Sequence, residues 1–354
     1  LRAVLTQFAE TIRAAGAAGR PLRIRAGGTK DFYGQSFEGE ILDPRAYAGI
    51  VAYEPSEIVI TARCGTTLAE LEGALREHGQ MLPFEPPHLG ASATVGGALA
   101  AGLSGPRRQA AGAVRDFVLG VRVMDGHGNP LAFGGQVMKN VAGYDAARLM
   151  TGAMGTLGLI LEASFKVLPL PVAEATLRLE LPEARAIETV NRWGGRPLPI
   201  TATAWHGGDL GVRLSGAAAA VRAARDKLGG ERVDAAQAER FWSAMREQTM
   251  PFFDTALPIW RVSVPSSVGP LGLPGDQLIE WGGAQRWLAT NADAKSVRAA
   301  AARAGGHATL YRGGDKSVGV FTPLAAPLER IHRELKAVFD PHGIFNRGRL
   351  YAGW

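Results

Sequence analysis

Two glycines stand between an arginine and a threonine–lysine pair in Arg25-Ala26-Gly27-Gly28-Thr29-Lys30, directly after the short apolar run Leu22-Arg23-Ile24. Adjacent glycines let backbone N–H groups converge on an anion as a concave nest, and basic and hydroxyl neighbours add donors. A tight strand-end turn accounts for the same residues, so this segment alone leaves both readings open. Three more glycine-bearing segments follow: GASATVGGALAAGLSGPRR at 90–108, NVAGYDAARL at 140–149 and GAMGTLGLI at 152–160. Four such segments in one half of a chain point to a long anionic ligand, because several backbone runs must approach it closely. Neutral amides satisfy a diphosphate without a full set of arginines, each charge-assisted bond contributing roughly 1.5–3 kcal/mol. Two familiar phosphate signatures are absent. No G-x-G-x-x-G opens a helix, since a strand pattern follows Gly152, Gly155 and Gly158, and Gly314-Asp315-Lys316-Ser317 lacks the P-loop spacing.

The elements that must position these segments are bounded by bulk properties. A length of 354 residues implies two domains and room to bury a large ligand. The net charge of +6 is spread along the chain, with Pro106-Arg107-Arg108 the densest cluster, so no basic stripe for nucleic acid appears. The single cysteine, Cys64, excludes an intramolecular disulfide framework and a Cys-rich metal or iron–sulfur site; it lies in an apolar run and reads as a buried, inert thiol. No apolar stretch is long enough to span a membrane, and residues 1–16 read as an amphipathic helix rather than a signal peptide. A cytoplasmic protein is expected, at most peripheral to a membrane through partners.

Leu5, Phe8, Ile12 and Ala15 recur at helical spacing, and a strand over 22–25 follows. Strands are expected at 50–53 and 58–64. Thr67 and Glu70 then form a capping pair for a helix with Leu68, Leu71 and Leu75 on its apolar face. Residues 117–133 read as a hairpin turning at 125–129, and 157–167 alternate strictly, with Glu162, Ser164 and Lys166 on the polar face. Leu168-Pro169-Leu170-Pro171 is the best domain boundary. Beyond it come strand 175–181, helix 184–193, hairpin 200–206 with 210–214, helix 217–228, strands 259–264, 277–281 and 285–289, helix 294–304 and strand 307–311. Such an order argues for a helix-covered, largely antiparallel sheet rather than a doubly wound parallel one. A last helix carries Leu328, Ile331, Leu335, Val338 and Phe339 as its apolar face and stops at Asp340-Pro341-His342-Gly343. The following FNRGRLYAGW is too rich in aromatics and arginines to be a free end.

The order of the glycine segments resembles the FAD-binding domain of the vanillyl-alcohol oxidase and p-cresol methylhydroxylase (PCMH) superfamily. Within it, TVGGALAAGLSGPRR, GAVRDFVLGVRV, FGGQVMKNVAGYD and FDPHGIFNRGRLY most closely resemble the family of smaller flavin-binding subunits of bacterial glycolate oxidase. The resemblance covers nearly the whole chain and is most specific over 94–169. It implies an α+β fold: a two-subdomain PCMH-type FAD-binding domain over 1–171, an α+β cap over 172–325, and a C-terminal helix and tail at 326–354 returning to the FAD domain. It also implies site residues. Arg25, Ala26, Gly27, Gly28, Thr29 and Lys30 match the pyrophosphate loop, and Gly90, Thr94, Gly96, Gly97 and Gly105 match a second cradle. Gly112 and Val114 match main chain facing the flavin; Gly155, Gly158 and Ile160 match the turn and strand beside the adenine end. Met154 stands where the family often has Glu, and Arg347 where it often has Pro. No histidine occurs over 25–34, so noncovalent FAD is expected. The metal-binding histidine motif of the hydroxy-acid dehydrogenase relatives is missing, and no metal is expected; His307 in Gly305-Gly306-His307 reads as a strand residue.

Oxidising a 2-hydroxy acid requires a group to take the hydroxyl proton, a cation for the carboxylate, and an acceptor for the hydride. Lys139, Tyr144 and Arg148 flank the segment that the resemblance places near the flavin; His88, His206, Arg261 and His307 are further candidates from a loop or the cap. Trp205-His206 and Trp260-Arg261 read as cap core with a polar edge. The resemblance implies a subunit that works beside a larger flavoprotein subunit and an iron–sulfur subunit on a small 2-hydroxy acid. A self-sufficient FAD-dependent 2-hydroxy-acid dehydrogenase and a non-catalytic assembly subunit are the alternatives.

Overall fold

The computed structural model of the chain describes residues 1–135 and 146–354. It begins with helix α1 (Arg2–Ala17), strands β1 (Leu22–Ile24), β2 (Glu40–Leu42), β3 (Ile50–Glu54) and β4 (Val59–Arg63), helix α2 (Leu68–Glu77) and the short strand β5 (Gln80–Met81). Helices α3 (Val95–Ala101), α4 (Arg108–Ala111) and α5 (Val114–Phe117), strands β6 (Val118–Met124), β7 (Pro130–Gly134) and β8 (Leu159–Lys166), and the short strand β9 (Leu168–Pro169) complete this part. Thr67 caps α2 as its spacing predicts, its hydroxyl accepting from the Glu70 N–H at 3.1 Å.

Strands β3-β4-β8-β6-β7 form one antiparallel sheet with β8 at its centre. The alternation along β8 predicts one solvated face, yet seven of its eight residues are buried on both faces. The polar side chains pay for burial by pairing: Glu162 accepts from the Tyr47 hydroxyl and from Arg122, and Ser164 pairs with Thr61. A core built on Ile60, Leu71, Leu75, Val95, Leu99 and Phe165 joins α2 and α3 to this sheet.

The rest of the chain builds an eight-stranded antiparallel sheet from β10 (Ala173–Glu180), β11 (Ile200–His206), β12 (Asp209–Gly216), β13 (Glu231–Val233), β14 (Ile259–Ser263), β15 (Asp276–Glu280), β16 (Gln285–Ala289) and β17 (His307–Arg312). Helices α6 (Glu183–Gly194), α7 (Ala218–Leu228) and α9 (Ala294–Arg303) bury Val190, Val221 and Val297 against it. Helix α8 (Ala235–Glu247), which sequence periodicity did not single out, sends Trp242 and Met245 into a core that also holds Tyr33, Leu103 and Met154 from the amino-terminal part. This shared core is the seam between the two sheets.

The last helix, α10 (Ala326–Phe339), departs from expectation: Leu328, Ile331 and Val338 are exposed, and Phe339 alone is fully buried. The tail behind it is anchored as predicted. Ile344 and Phe345 are fully buried, and Phe345 lies parallel to Leu22. Among the described residues no helix is long and apolar enough to cross a membrane.

Candidate functional site

The 25–30 loop leaves β1 and meets the 90–92 turn edge to edge. A Cβ on Gly27 would lie 1.7 Å from the Ser92 carbonyl oxygen, and the Ser92 hydroxyl donates to the Gly27 carbonyl at 2.9 Å. Gly28 adopts φ +69°, the left-handed region where glycine is favoured. Among the described residues, none of the backbone N–H groups from Ala26 to Lys30 donates a hydrogen bond. Five consecutive unsatisfied donors in a half-buried loop are unusual, because buried backbone donors are nearly always paired.

Side chains complete the loop. Arg25 turns back to Asp31 at 2.5 Å, and Arg23 reaches the same carboxylate at 3.0 Å. The Lys30 ammonium donates to the Thr29 hydroxyl at 3.2 Å and to the His88 carbonyl at 3.0 Å. Burial brings its pKa down to about 8, partly opposed by Glu247.

Beside this loop lies a cleft lined by Ala26, Thr94, Gly96, Gly97, Gly155, Gly158 and Ile160, together with Cys64, Met154 and Asn346. The structure thus brings residues of three separated segments to one place. The neighbouring glycines differ in role. A Cβ on Gly96 would sit 2.6 Å from the Cys64 Cβ, so Gly96 lets α3 pack on β4. A Cβ on Gly97, which lines the cleft, would meet just the Thr94 hydroxyl at 3.2 Å. A Cβ on Gly155, at φ +71°, would lie 2.6 Å from the Asn346 amide nitrogen, and one on Gly158 would lie 2.8 Å from the Met124 carbonyl oxygen. A Cβ on Gly90 would meet Thr29 alone. Cys64 is buried as expected, its thiol pushed up to about 12 by desolvation.

Asn346 escaped sequence reasoning. Its side-chain oxygen accepts from the Ile24 N–H at 2.8 Å, its amide donates to the Met154 carbonyl at 2.6 Å, and it takes φ +41°. The one available signal was a polar residue next to an aromatic one in Phe345-Asn346-Arg347. Met154, where the resemblance suggested Glu, contributes its main chain here at φ +54°; Arg347 bonds the Gly343 carbonyl at the surface.

Gly105, Gly112 and Val114 lie apart from this cleft. Gly112 ends α4 at φ +111°, and Val114 is core, its N–H donating to the Ser104 hydroxyl at 3.1 Å. Gly105 belongs to the seam: it packs on the Glu85 main chain, and its carbonyl accepts from the Trp281 indole at 3.1 Å. The seam is fixed by an ion network in which buried Glu85 meets Arg107 at 3.1 Å and Arg213 at 2.9 Å. Burial raises the Glu85 carboxyl, but the two guanidinium groups outweigh it and hold it below the usual range.

The catalytic candidates do not converge. Lys139 and Tyr144 lie outside the described residues. Arg148 is exposed on a short 3-10 turn at Ala146–Met150. His88 faces Glu72 at 3.2 Å, His206 pairs with Asp276 at 2.9 Å on an exposed edge, and His307 is exposed at the start of β17. Arg261 lines the seam pocket with Glu280 and Gln285.

Comparison with known proteins matches this architecture. A family model described as FAD binding domain covers residues 5–134. Over 332 residues the chain is 50% identical to the glycolate oxidase subunit GlcE of Escherichia coli K12, spanning 94% of this chain and 93% of that protein. It is 33% identical to glycolate oxidase subunit GlcD of Bacillus subtilis over 128 residues, 36% of this chain and 27% of the relative. It is 34% identical to a D-lactate dehydrogenase of Archaeoglobus fulgidus over 152 residues, 42% of this chain and 33% of the relative. A solved alkyldihydroxyacetonephosphate synthase shares the fold at TM-score 0.68 and 15% identity, covering 96% of this chain and 74% of that one. The chain belongs to the GlcE family of glycolate oxidase subunits, within the superfamily built on the PCMH-type FAD-binding domain.

Proposed function

We infer that this chain is the FAD-binding subunit of a glycolate oxidase complex, oxidising a small 2-hydroxy acid to the 2-oxo acid and passing electrons on to partner subunits. The observation that carries this reading is the run of unpaired amides at 26–30 beside a cleft left open at Gly97. The residues fit the cofactor. Five donors without acceptors suit a diphosphate, and a wall without a side chain at Gly97 lets a ligand reach the main chain. Lys30 adds a cation to the same loop. Residues 25–30, 90–97, Gly105 and 155–160 would hold the dinucleotide, and Gly112 and Val114 would face the flavin. The absence of histidine over 25–34 supports noncovalent binding.

When bound, FAD supplies a two-electron acceptor for the substrate hydride. The chain's own contribution is to hold the cofactor, orient the acid and exclude water at the seam. The domains implied are 1–171 for cofactor, 172–325 as cap and 326–354 as a returning clamp. The two separate sheets and the Phe345 contact with β1 support that division. The partners are a larger flavoprotein subunit of GlcD type and an iron–sulfur subunit, since a chain with one cysteine cannot ligate a cluster alone.

The purified chain is expected to be yellow, to release its flavin on acid precipitation, and to turn over glycolate continuously once both partners are added. Steady turnover by the chain alone would favour a self-sufficient dehydrogenase. A colourless chain that takes up no FAD on reconstitution overturns the reading.

A further inference from the structure

The cap reaches the loops beside the cofactor cleft through one carboxylate. Glu247 is the last residue of α8, where a negative charge opposes the helix dipole, so it needs donors to offset the repulsion. Its Oε2 accepts from the His88 N–H at 3.1 Å and the Leu89 N–H at 2.8 Å, and its Oε1 accepts from the Arg246 Nε at 2.7 Å. Leu89 holds φ +56°, a strained conformation for leucine that persists where neighbours fix it. The end of α8 is itself anchored, because the Gln248 side chain donates to the Tyr311 hydroxyl at 2.8 Å and accepts from Arg312 at 2.9 Å. The peptide joining His88 to Leu89 carries a second bond: its carbonyl accepts from the Lys30 ammonium at 3.0 Å. One peptide group thus stands between a cation and an anion, and each bond polarises it in the sense that strengthens the other.

The charged groups around Lys30 are Arg25 and Asp31 on its own loop, Arg349 from the tail, the His88 ring on the facing turn, Glu72 on α2, and Arg246 and Glu247 on α8. Asp31 is engaged by Arg23 and Arg25, and Glu72 lies 3.2 Å from the His88 ring and 4.0 Å from Arg246. Glu247 is the carboxylate that favours the Lys30 ammonium against burial. We propose that Glu247 is a positioning residue for the dinucleotide: from the cap it orients the His88–Leu89 peptide, whose carbonyl holds the Lys30 ammonium at the diphosphate nest. Cofactor binding by the amino-terminal part then depends on a side chain of the cap. The two ways in which this carboxylate could act have opposite signs. As a bare charge it repels a diphosphate; through the peptide it keeps in place the cation that attracts one. The proposal rests on the flavoprotein reading, which supplies the diphosphate.

The test is fluorescence titration of the full-length apoprotein with FAD from about pH 6 to about pH 10, with far-ultraviolet dichroism to check folding. Glu247→Ala should weaken FAD about fivefold at pH 7, and no further than Lys30→Met does. In the Lys30→Met background the same change should alter affinity less than about twofold, because Glu247 acts through the lysine. Glu247→Gln keeps one acceptor for the peptide and removes the charge. Its affinity at low pH should stay within about threefold of wild type, while the loss of affinity on raising the pH should begin at least about half a unit lower, since Lys30 gives up its proton sooner without the carboxylate. Should Glu247→Ala not fold, the Glu247→Gln profile decides alone. Unchanged or tighter FAD binding by Glu247→Ala overturns the proposal, the carboxylate then being idle or a bare repulsive charge. A full fivefold loss in the Lys30→Met background overturns it as well, because the residue would then serve packing. A Glu247→Gln profile that superimposes on wild type does the same. Each of these results leaves the flavoprotein reading standing, whereas a wild-type chain that takes up no FAD at any pH overturns that reading and this proposal together.

Discussion

The cleft at Gly97 and the pocket at Arg261 lie in one molecule but are made of different material. The first is walled by main chain and uncharged side chains from several runs of the chain. The second is walled by long side chains, its polar groups coming one each from neighbouring strands. A surface made of amides recognises any diphosphate of the right length, because every residue offers the same N–H. A surface made of side chains recognises one arrangement of charge. The contrast separates two kinds of surface: the Gly97 cleft is built of backbone, and the Arg261 pocket of side chains.

The sharpest way to break this contrast is to put a side chain where the backbone is needed. Gly97→Val should abolish flavin binding, with absorbance near 450 nm falling at least a hundredfold while far-ultraviolet dichroism is retained. Gly96→Val should instead disrupt packing on Cys64 and lower the yield of folded protein. Stoichiometric flavin in the Gly97→Val protein would show that the cleft is not a backbone site. On the seam, Arg213→Met strands the buried Glu85 with half its partners, which should destabilise the protein by about 3–5 kcal/mol in urea unfolding. A loss under 1 kcal/mol would mean that the network does not hold the sheets together.

The smallest effect tests whether charge matters at all in the backbone site. Lys30 titrates near 8, so its ammonium is present below that pH and lost above it. FAD affinity should therefore be flat below pH 8 and weaken above it. Lys30→Met should be about tenfold weaker at pH 7 and lack the step, since one charge-assisted bond contributes roughly 1.5–3 kcal/mol. Fluorescence titration of the apoprotein with FAD at several pH values reads both.

The same contrast explains what the sequence disclosed. Glycine pairs are visible in a string of letters, so the glycines of the Gly97 cleft were legible before any coordinates, and Asn346 was not. Arg261 stood among the cap candidates, but Glu280 and Gln285 sit among ordinary strand residues, and nothing local marks them. Only the β15-β16-β14 strand order makes them neighbours. Long periodic elements were also legible, as α1, α2, α7 and α9 follow their apolar spacing. Two elements misled for opposite reasons. Strand β8 looked half-exposed because pairing partners such as Tyr47 for Glu162 are distant in sequence. Helix α10 looked like a core helix because an apolar stripe at helical spacing is the same whether the protein covers it or leaves Leu328, Ile331 and Val338 in solvent.

The 25–35 loop is held by residues far later in the sequence. Arg349 donates to the carbonyls of Lys30, Asp31 and Gln35, the last of these 314 positions earlier, and Asn346 accepts from Ile24. While the polypeptide is still growing on the ribosome, those carbonyls have no counterpart to grip. The loop therefore gains these contacts only once residues 346–349 have been made and have docked against it.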